Sequence, residues 1–294
     1  MAAAGKPIYP YAPWQVVEDR FRPEQNLQSE TIFTVGNGYI GMRGSFEEGY
    51  DGPAGTSVNG TYLNGFYESE PIVYGEDAYG YARYSQTMLN VTDSKIIKLY
   101  VDGEPFSMFS GKVLDYRRVL DFKAGVMTRH VVWESSSGKQ VDIEITRLAS
   151  LSRKHLAAFS YRVTPLNFHG TITLVSAMNG KVKNQSGETG DPRVGSISGG
   201  QVLITVGKEQ AGTFGALSQR TKNTKFTLVC AMDHDLATSA SYTAIPEEQE
   251  EWLQVRFEVK AEENTPITLS KYVAYVSSRD YQEEELLPLA KQTV

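Results

Sequence analysis

Short β-branched or alternating runs, each followed by a turn signal, recur about every ten residues through most of this chain. Lys95 to Val101 runs into Asp102-Gly103, a hairpin signal. Val113 to Phe122 and Val126 to Trp133 flank Lys123-Ala124-Gly125. After the polar turn Ser135 to Gly138, Val141 to Thr146 alternates apolar and polar with period two, which marks a half-buried strand. Leu156 to Thr164 and Thr171 to Met178 continue the pattern on either side of Asn167 to Gly170. Further strands are expected at Gln201 to Val206, Lys225 to Ala231, Trp252 to Val259 and Ile267 to Val276. Strands do not alternate with helices, so a doubly wound α/β fold is not expected. An all-β antiparallel sandwich or barrel is expected. No internal repeat of 20–50 residues is visible. The one good helical stretch begins at Arg279, where Glu283-Glu284-Glu285 precedes Leu286, Leu287 and Leu289, with Pro288 inside the run.

The first third reads differently. Pro7, Pro10 and Pro13 interleave with Tyr9, Tyr11 and Trp14 and predict an extended arm. Thr31 to Val35 is β-branched and reads as a strand. Gly36-Asn37-Gly38 then predicts a tight turn into a second strand, Tyr39 to Gly44. Glu47 to Gly60 reads as a long loop. Lys183 to Gly200 has almost no large apolar residue and reads as a surface loop or hairpin tip.

Composition narrows the function. With 29 Lys+Arg against 35 Asp+Glu, the formal charge of −6 excludes a strongly basic nucleic-acid binder. The single cysteine, Cys230, excludes an intrachain disulfide framework and any multi-cysteine metal site. Four scattered histidines do not suggest a metal centre. The N-terminus lacks the apolar core of a signal peptide, and no uninterrupted apolar run is long enough to span a membrane. A cytoplasmic protein is therefore expected, and the sequons at Asn59, Asn90 and Asn184 read as chance matches.

Few motifs carry chemistry. Gly36 to Gly41 fits G-x-G-x-x-G, but the residues after it read as a strand, not the helix a nucleotide fingerprint needs. Glu47-Glu48, Glu76-Asp77 and Asp102/Glu104 could serve as glycosidase carboxylate pairs. Adjacent acids on loops are more simply solvated surface. Tyr62, Phe66, Tyr67, Tyr74, Tyr79, Tyr81 and Tyr84 surround Asn64 and Gly65. Such rings stack on sugars, or pack at a domain interface, the reading favoured here. Arg43 could meet a partner domain's carboxylate, a substrate or a local acid. His130 reads as a core or sheet-surface histidine rather than a base; His155, His169 and His234 lie near strand ends or turns without a partner signal; Cys230 reads as a buried small hydrophobe.

Five segments taken together resemble one family. They are Glu30 to Gly44 (ETIFTVGNGYIGMRG), Gly60 to Glu68 (GTYLNGFYE), Pro71 to Glu76 (PIVYGE), Asn90 to Asp93 (NVTD) and Tyr116 to Asp121 (YRRVLD). Their order and spacing resemble the N-terminal domain of glycoside hydrolase family 65, whose members are maltose, trehalose, kojibiose and nigerose phosphorylases and some hydrolases. The resemblance implies a galactose-mutarotase-like β super-sandwich over residues 1–276. Residues 277–294 would start a helical linker to an (α/α)6 catalytic barrel. It also implies that the catalytic Glu and the phosphate site lie in the barrel, so no catalytic residue is assigned, and no cofactor beyond inorganic phosphate as co-substrate. The implied partners are the barrel, a small carbohydrate and a second subunit. Asn37, Tyr39, Arg43, Asn64, Tyr67, Glu76 and Tyr79 are expected at the substrate-pocket rim or the domain interface. The same domain in a hydrolase, and a stand-alone carbohydrate-binding sandwich, are the alternatives. Gly65 to Ala82 looks more like the kojibiose or trehalose branch than the maltose branch.

Overall fold

The computed structural model describes residues 9–184 and 200–294. Most of the segment Lys183 to Gly200, expected as a loop, lies outside the described residues. In chain order, β1 (Tyr11–Ala12) and β2 (Gln15–Glu18) lead through a 3-10 turn (Pro23–Gln25) into helix α1 (Asn26–Ile32). Then come β3 (Val35–Gly36), β4 (Ile40–Met42), β5 (Thr61–Pro71), β6 (Tyr84–Asn90), β7 (Ile97–Val101), β8 (Glu104–Pro105) and β9 (Lys112–Asp121). Next are β10 (Val126–Glu134), β11 (Gln140–Ala149), β12 (Leu156–Pro165), β13 (Gly170–Asn179), β14 (Leu203–Ala211) and β15 (Phe214–Thr221). The chain closes with β16 (Thr227–Ala237), β17 (Tyr242–Glu248), β18 (Trp252–Ala261), β19 (Ile267–Ser277) and α2 (Glu283–Thr293).

The strands form three antiparallel sheets. The large sheet runs β1-β2-β9-β10-β11-β12-β19-β16-β15-β14. Its inward face packs against a five-stranded sheet, β17-β18-β13-β7-β8, and a four-stranded sheet, β3-β4-β5-β6. Buried apolar residues of all three belong to one core, among them Leu63, Leu99, Val131, Ile143, Leu174, Phe257 and Leu269. Period-two alternation produces this: in β10, Met127, Val131 and Trp133 are buried while Thr128 and Val132 are only half-buried. The expected all-β sandwich is the observed fold.

Several expected details hold. Asp102 and Gly103 both have positive φ (48° and 84°), as a type I′ turn requires, and close the β7–β8 hairpin. Helix α2 follows the expected acidic run and opens on a capping box between Gln282 and Glu285. It continues through Pro288, although an interior proline forfeits a backbone hydrogen bond. Packing compensates: Leu286 and Ala290 lie on Ala216, Val229, Ala231, Ala274 and Val276 of the large sheet's outer face.

One expectation is corrected. Thr31 and Ile32 are not a strand but the last turn of α1; only Val35–Gly36 of that region pairs, with β4. The aromatic stretch runs along β5, through a tip at residues 72–83, into the start of β6. Strands β15 and β17 were not anticipated.

Candidate functional site

The β3–β4 turn is built by Asn37. Its Oδ1 accepts the amides of Tyr39 (3.0 Å) and Ile40 (2.8 Å). Its Nδ2 donates to the carbonyls of Ser150 (2.7 Å) and Lys154 (3.0 Å), tying the hairpin to the end of β11. Gly38 takes φ +87°, which a side chain would resist. Asn64 Nδ2 donates to the Gly38 carbonyl at 3.2 Å. Tyr39 is buried, edge-on to His155 with centroids 4.9 Å apart, and its hydroxyl donates to Ser277 Oγ at 3.3 Å. Burial pushes its phenol up to about 12. Asn37, Tyr39 and Asn64 are thus brought together. Arg43 is held apart from them. It donates to the carbonyls of Val58 (2.7 Å) and Leu27 (3.3 Å) and lies 3.8 Å from Glu30.

Strands β5 and β6 form an arm anchored at its base. A bulge between Tyr62 and Tyr67, with Gly65 at φ +77°, reorients the strand. Glu68 is buried and accepts the amides of Asn223 (2.7 Å) and Thr224 (2.8 Å) in the β15–β16 turn. Thr224 Oγ1 donates to the Tyr67 carbonyl at 2.9 Å, and Asn223 Nδ2 to the Ser69 carbonyl at 3.0 Å. Tyr67 packs edge-on to Phe226 at 5.3 Å. At the tip, Tyr74 packs on Tyr81 at 4.9 Å and Arg83 pairs with Asp77 at 3.2 Å. Glu76 is exposed and Tyr79 fully so. Tyr67 therefore stands at the base, and Glu76 and Tyr79 at the far end, beyond four residues of strand or roughly 13 Å. Glu68→Gln should cost about 1–3 kcal/mol, because the two turn amides lose their charged acceptor on the buried Glu68 side chain. Faster proteolytic cleavage within residues 72–83 is the expected readout; an unchanged rate would refute the anchoring.

Glu47 and Glu48 are not the solvated surface pair expected. Glu47 pairs with Arg129 (2.8 Å) and Arg147 (3.1 Å), and Arg129 also holds Glu48; all four side chains are buried. Beside them Arg118 pairs with Glu18 at 2.8 Å, and Tyr116 and Ser29 donate to the same carboxylate, each at 2.5 Å. Lys95 and Asp93 form a further buried pair at 2.7 Å. Their partners lie up to about a hundred residues away, so adjacency in sequence carried no signal of them. The network pins α1 and the loop after β4 against the large sheet. Each acid in it is neutralised, so it is scaffold rather than proton-transfer machinery.

The histidines divide. Of the two places expected for His130, core or sheet surface, it takes the second: it lies on the outer face of the large sheet, 2.9 Å from Asp142 and 3.4 Å from Asp115. It borders a groove of about 550 Å³ whose lining includes Arg117, Glu144, Ser160 and Arg162. His234 is corrected: it lies within β16, buried, with Nε2 2.7 Å from Ser176 Oγ. Cys230 is buried as expected. No helix among the described residues is long and apolar enough to cross a membrane.

A ten-stranded antiparallel sheet covered by two smaller sheets and backed by a C-terminal helix defines a super-sandwich. The model of the glycosyl hydrolase family 65 N-terminal domain matches residues 16–294, and the chain belongs to that family. It is 48% identical over 289 residues to an alpha,alpha-trehalose phosphorylase of Thermoanaerobacter brockii, covering 98% of this chain and 37% of that protein. It is 31% identical over 207 residues to a kojibiose phosphorylase of Halothermothrix orenii, covering 69% of this chain and 24% of that protein. A solved structure of a candidate kojibiose phosphorylase from the human microbiome superposes with a TM-score of 0.82 at 22% identity, covering 97% of this chain and 35% of that one. The chain therefore covers between about a quarter and just over a third of the length of these relatives.

Proposed function

We propose that this chain is the non-catalytic N-terminal domain of an inverting α-glucoside phosphorylase. Residues 1–276 form the sandwich, and residues 277–294 begin the linker to a helical catalytic barrel. In the reaction, inorganic phosphate attacks the anomeric carbon from the face opposite the departing sugar. An acid in the barrel protonates the leaving oxygen, and inversion gives β-glucose 1-phosphate. Phosphate is already an anion at neutral pH, so it needs no general base. Identity of 48% to a trehalose phosphorylase against 29% to a maltose phosphorylase favours the trehalose branch for the substrate.

The observation that carries the domain's role is the β5–β6 arm: clamped at its base by Glu68, aromatic and exposed at its tip. A rigid base with a free aromatic end suits reaching over a neighbouring domain to the pocket rim. There Tyr67, Glu76 and Tyr79 would meet substrate or barrel, while Asn37, Tyr39 and Asn64 hold the adjoining hairpin and Arg43 ties the chain after it to α1 and the loop before β5. The same domain also supports a dimer in this reading.

Incubating the full-length polypeptide with trehalose, kojibiose or maltose and phosphate tests the reaction. Phosphate-dependent release of β-glucose 1-phosphate is expected. Release of free glucose alone, without phosphate dependence, would make the protein a hydrolase. For the rim, Tyr79→Ala should raise KM roughly fivefold or more, the loss of about 1 kcal/mol of aromatic contact. Unchanged KM and kcat in Tyr79→Ala and Tyr67→Ala together would remove the rim role.

A further inference from the structure

Arg279 lies between β19 and α2, exposed and without a counter-charge among the described residues. Its guanidinium rests over two rings, 4.9 Å from the Phe226 centroid and 5.8 Å from that of Tyr67. It also lies close along the backbone at Gly65, where an added Cβ would come within 3.9 Å of Nε and Nη2. The carboxylates beside these residues are committed elsewhere. Asp280 pairs with Lys154 at 2.8 Å. Glu283 pairs with Arg220 and accepts from Thr227 Oγ1 at 2.8 Å. Glu68 is filled by the amides of the β15–β16 turn. The cation is therefore oriented by stacking, with its hydrogen-bonding edge unspent.

The surface continues up the arm. Tyr67 pairs across the strands with Met88, and Pro71 with Tyr84. Met88 is 49% and Tyr84 67% exposed. An arginine held on aromatic rings beside exposed Met and Tyr has the composition of an interface core, not of an ordinary solvated strand.

We infer that this arm face is a docking surface anchored by Arg279, and that it receives a carboxylate-bearing segment from the further length of polypeptide that the family relatives have. The charge argument favours an acid, because a carboxylate meets the guanidinium edge with two oxygens and the opposite charge. The length argument places that acid in the same polypeptide: the aligned region is 37% of the trehalose phosphorylase relative, and the remainder must pack against something. The inference deepens the proposed function by naming the contact between the two parts, and rests on it for the existence of the second part.

Arg279→Lys in the full-length protein puts a primary amine at this site. A carbodiimide then condenses that amine with a contacting carboxylate, losing water to form an amide, and peptide mapping identifies the partner. The expected product joins position 279 to an Asp or Glu beyond residue 294. No product, a product confined to residues 1–294, or one formed only between two copies would overturn the assignment. Arg279→Glu should also speed amide exchange in residues 61–90 about tenfold in the full-length protein; unchanged exchange would overturn the anchor. Phosphorolysis by the unsubstituted sample is read separately, so loss of the functional reading is distinguishable from loss of the docking surface.

Discussion

Replacing Arg129 with methionine should destabilise the protein by about 3–5 kcal/mol, the cost of leaving buried Glu48 without its counter-charge and Glu47 with Arg147 alone. Arg129 is the only cation held by Glu48 and one of two held by Glu47 among the described residues. Burial alone would depress the guanidinium's pKa; Glu48 and Glu47 outweigh that and raise it. The two acids respond differently. Burial pushes Glu47 up, but Arg147 and Arg129 together overcome it and hold the carboxyl below its ordinary range. Glu48 has Arg129 alone and Glu47 as a like-charged neighbour, so burial prevails and its pKa rises. At about 2–4 °C per kcal/mol for a chain approaching this size, the melt should fall by on the order of 10 °C. The depressed Glu47 contributes stability above its unfolded pKa and loses it as pH falls through the lower folded value. The gap between the two proteins should therefore narrow on acidification. Arg162→Met, which breaks the exposed pair with Glu144, should stay within about 0.5 kcal/mol and serves as the control. A loss under 1 kcal/mol for Arg129→Met would refute the scaffold role of the network.

Lys271→Met should abolish a rise in stability between pH 7 and pH 9. Lys271 is fully buried in β19, and its ammonium donates to the carbonyls of Ala177 (2.7 Å) and Ile96 (3.2 Å). Burial lowers its pKa to about 7, against a weaker opposing pull from Asp93. Between that value and the ordinary lysine range the unfolded chain binds the proton more readily. Stability therefore increases with pH across this window. A depression of that size corresponds to several kcal/mol over the whole interval, roughly half of it below pH 9. Buried phenols such as Tyr161 and Tyr275 act oppositely at high pH, since burial raises them. They are common to both proteins and cancel in the difference. On the acid side His234, lowered by burial to about 3, gives the same sense: stability falls as pH drops below 6.5. Denaturant melts at pH 7, 8 and 9 measure the effect; parallel slopes for the two proteins would contradict it.

The large sheet was legible because its strands alternate. Val141, Ile143 and Ile145 face the core while Asp142 and Thr146 face outward, and a period of two needs no knowledge of the partner strand. Turn chemistry at Asp102-Gly103 and Asn37-Gly38 was legible for a similar reason, since local φ preferences decide it. Helix α1 was not. Its buried positions are Asn26, Ser29 and Glu30, at helical spacing but polar, so the apolar stripe that announces a helix is absent. The arm was not legible as paired strands, because Gly65 and the bulge broke the strand pattern. Of the residues expected at the site, Asn37 and Tyr39 form one hairpin turn, Asn64 of β5 bonds to that turn, and Tyr67 stands at the arm's base. Glu76 and Tyr79 lie at the far end, a separation that only the pairing of β5 with β6 sets.

From residues alone came the all-β sandwich, the family resemblance and the exclusion of a basic nucleic-acid binder. The first two rest on patterns contained within a few neighbouring positions or on their order, and the third on the net charge of the whole chain. The tertiary structure alone decided which polar residues are buried. Glu47 and Glu48 look like surface acids until strands β10 and β11 bring Arg129 and Arg147 against them. Arg279 looks like an ordinary linker cation until the arm places Tyr67 beside it and the β15–β16 turn supplies Phe226. Desolvation and pairing depend on groups that are distant in sequence. No local pattern encodes them, and the fold must form before the charge of a residue acquires its role.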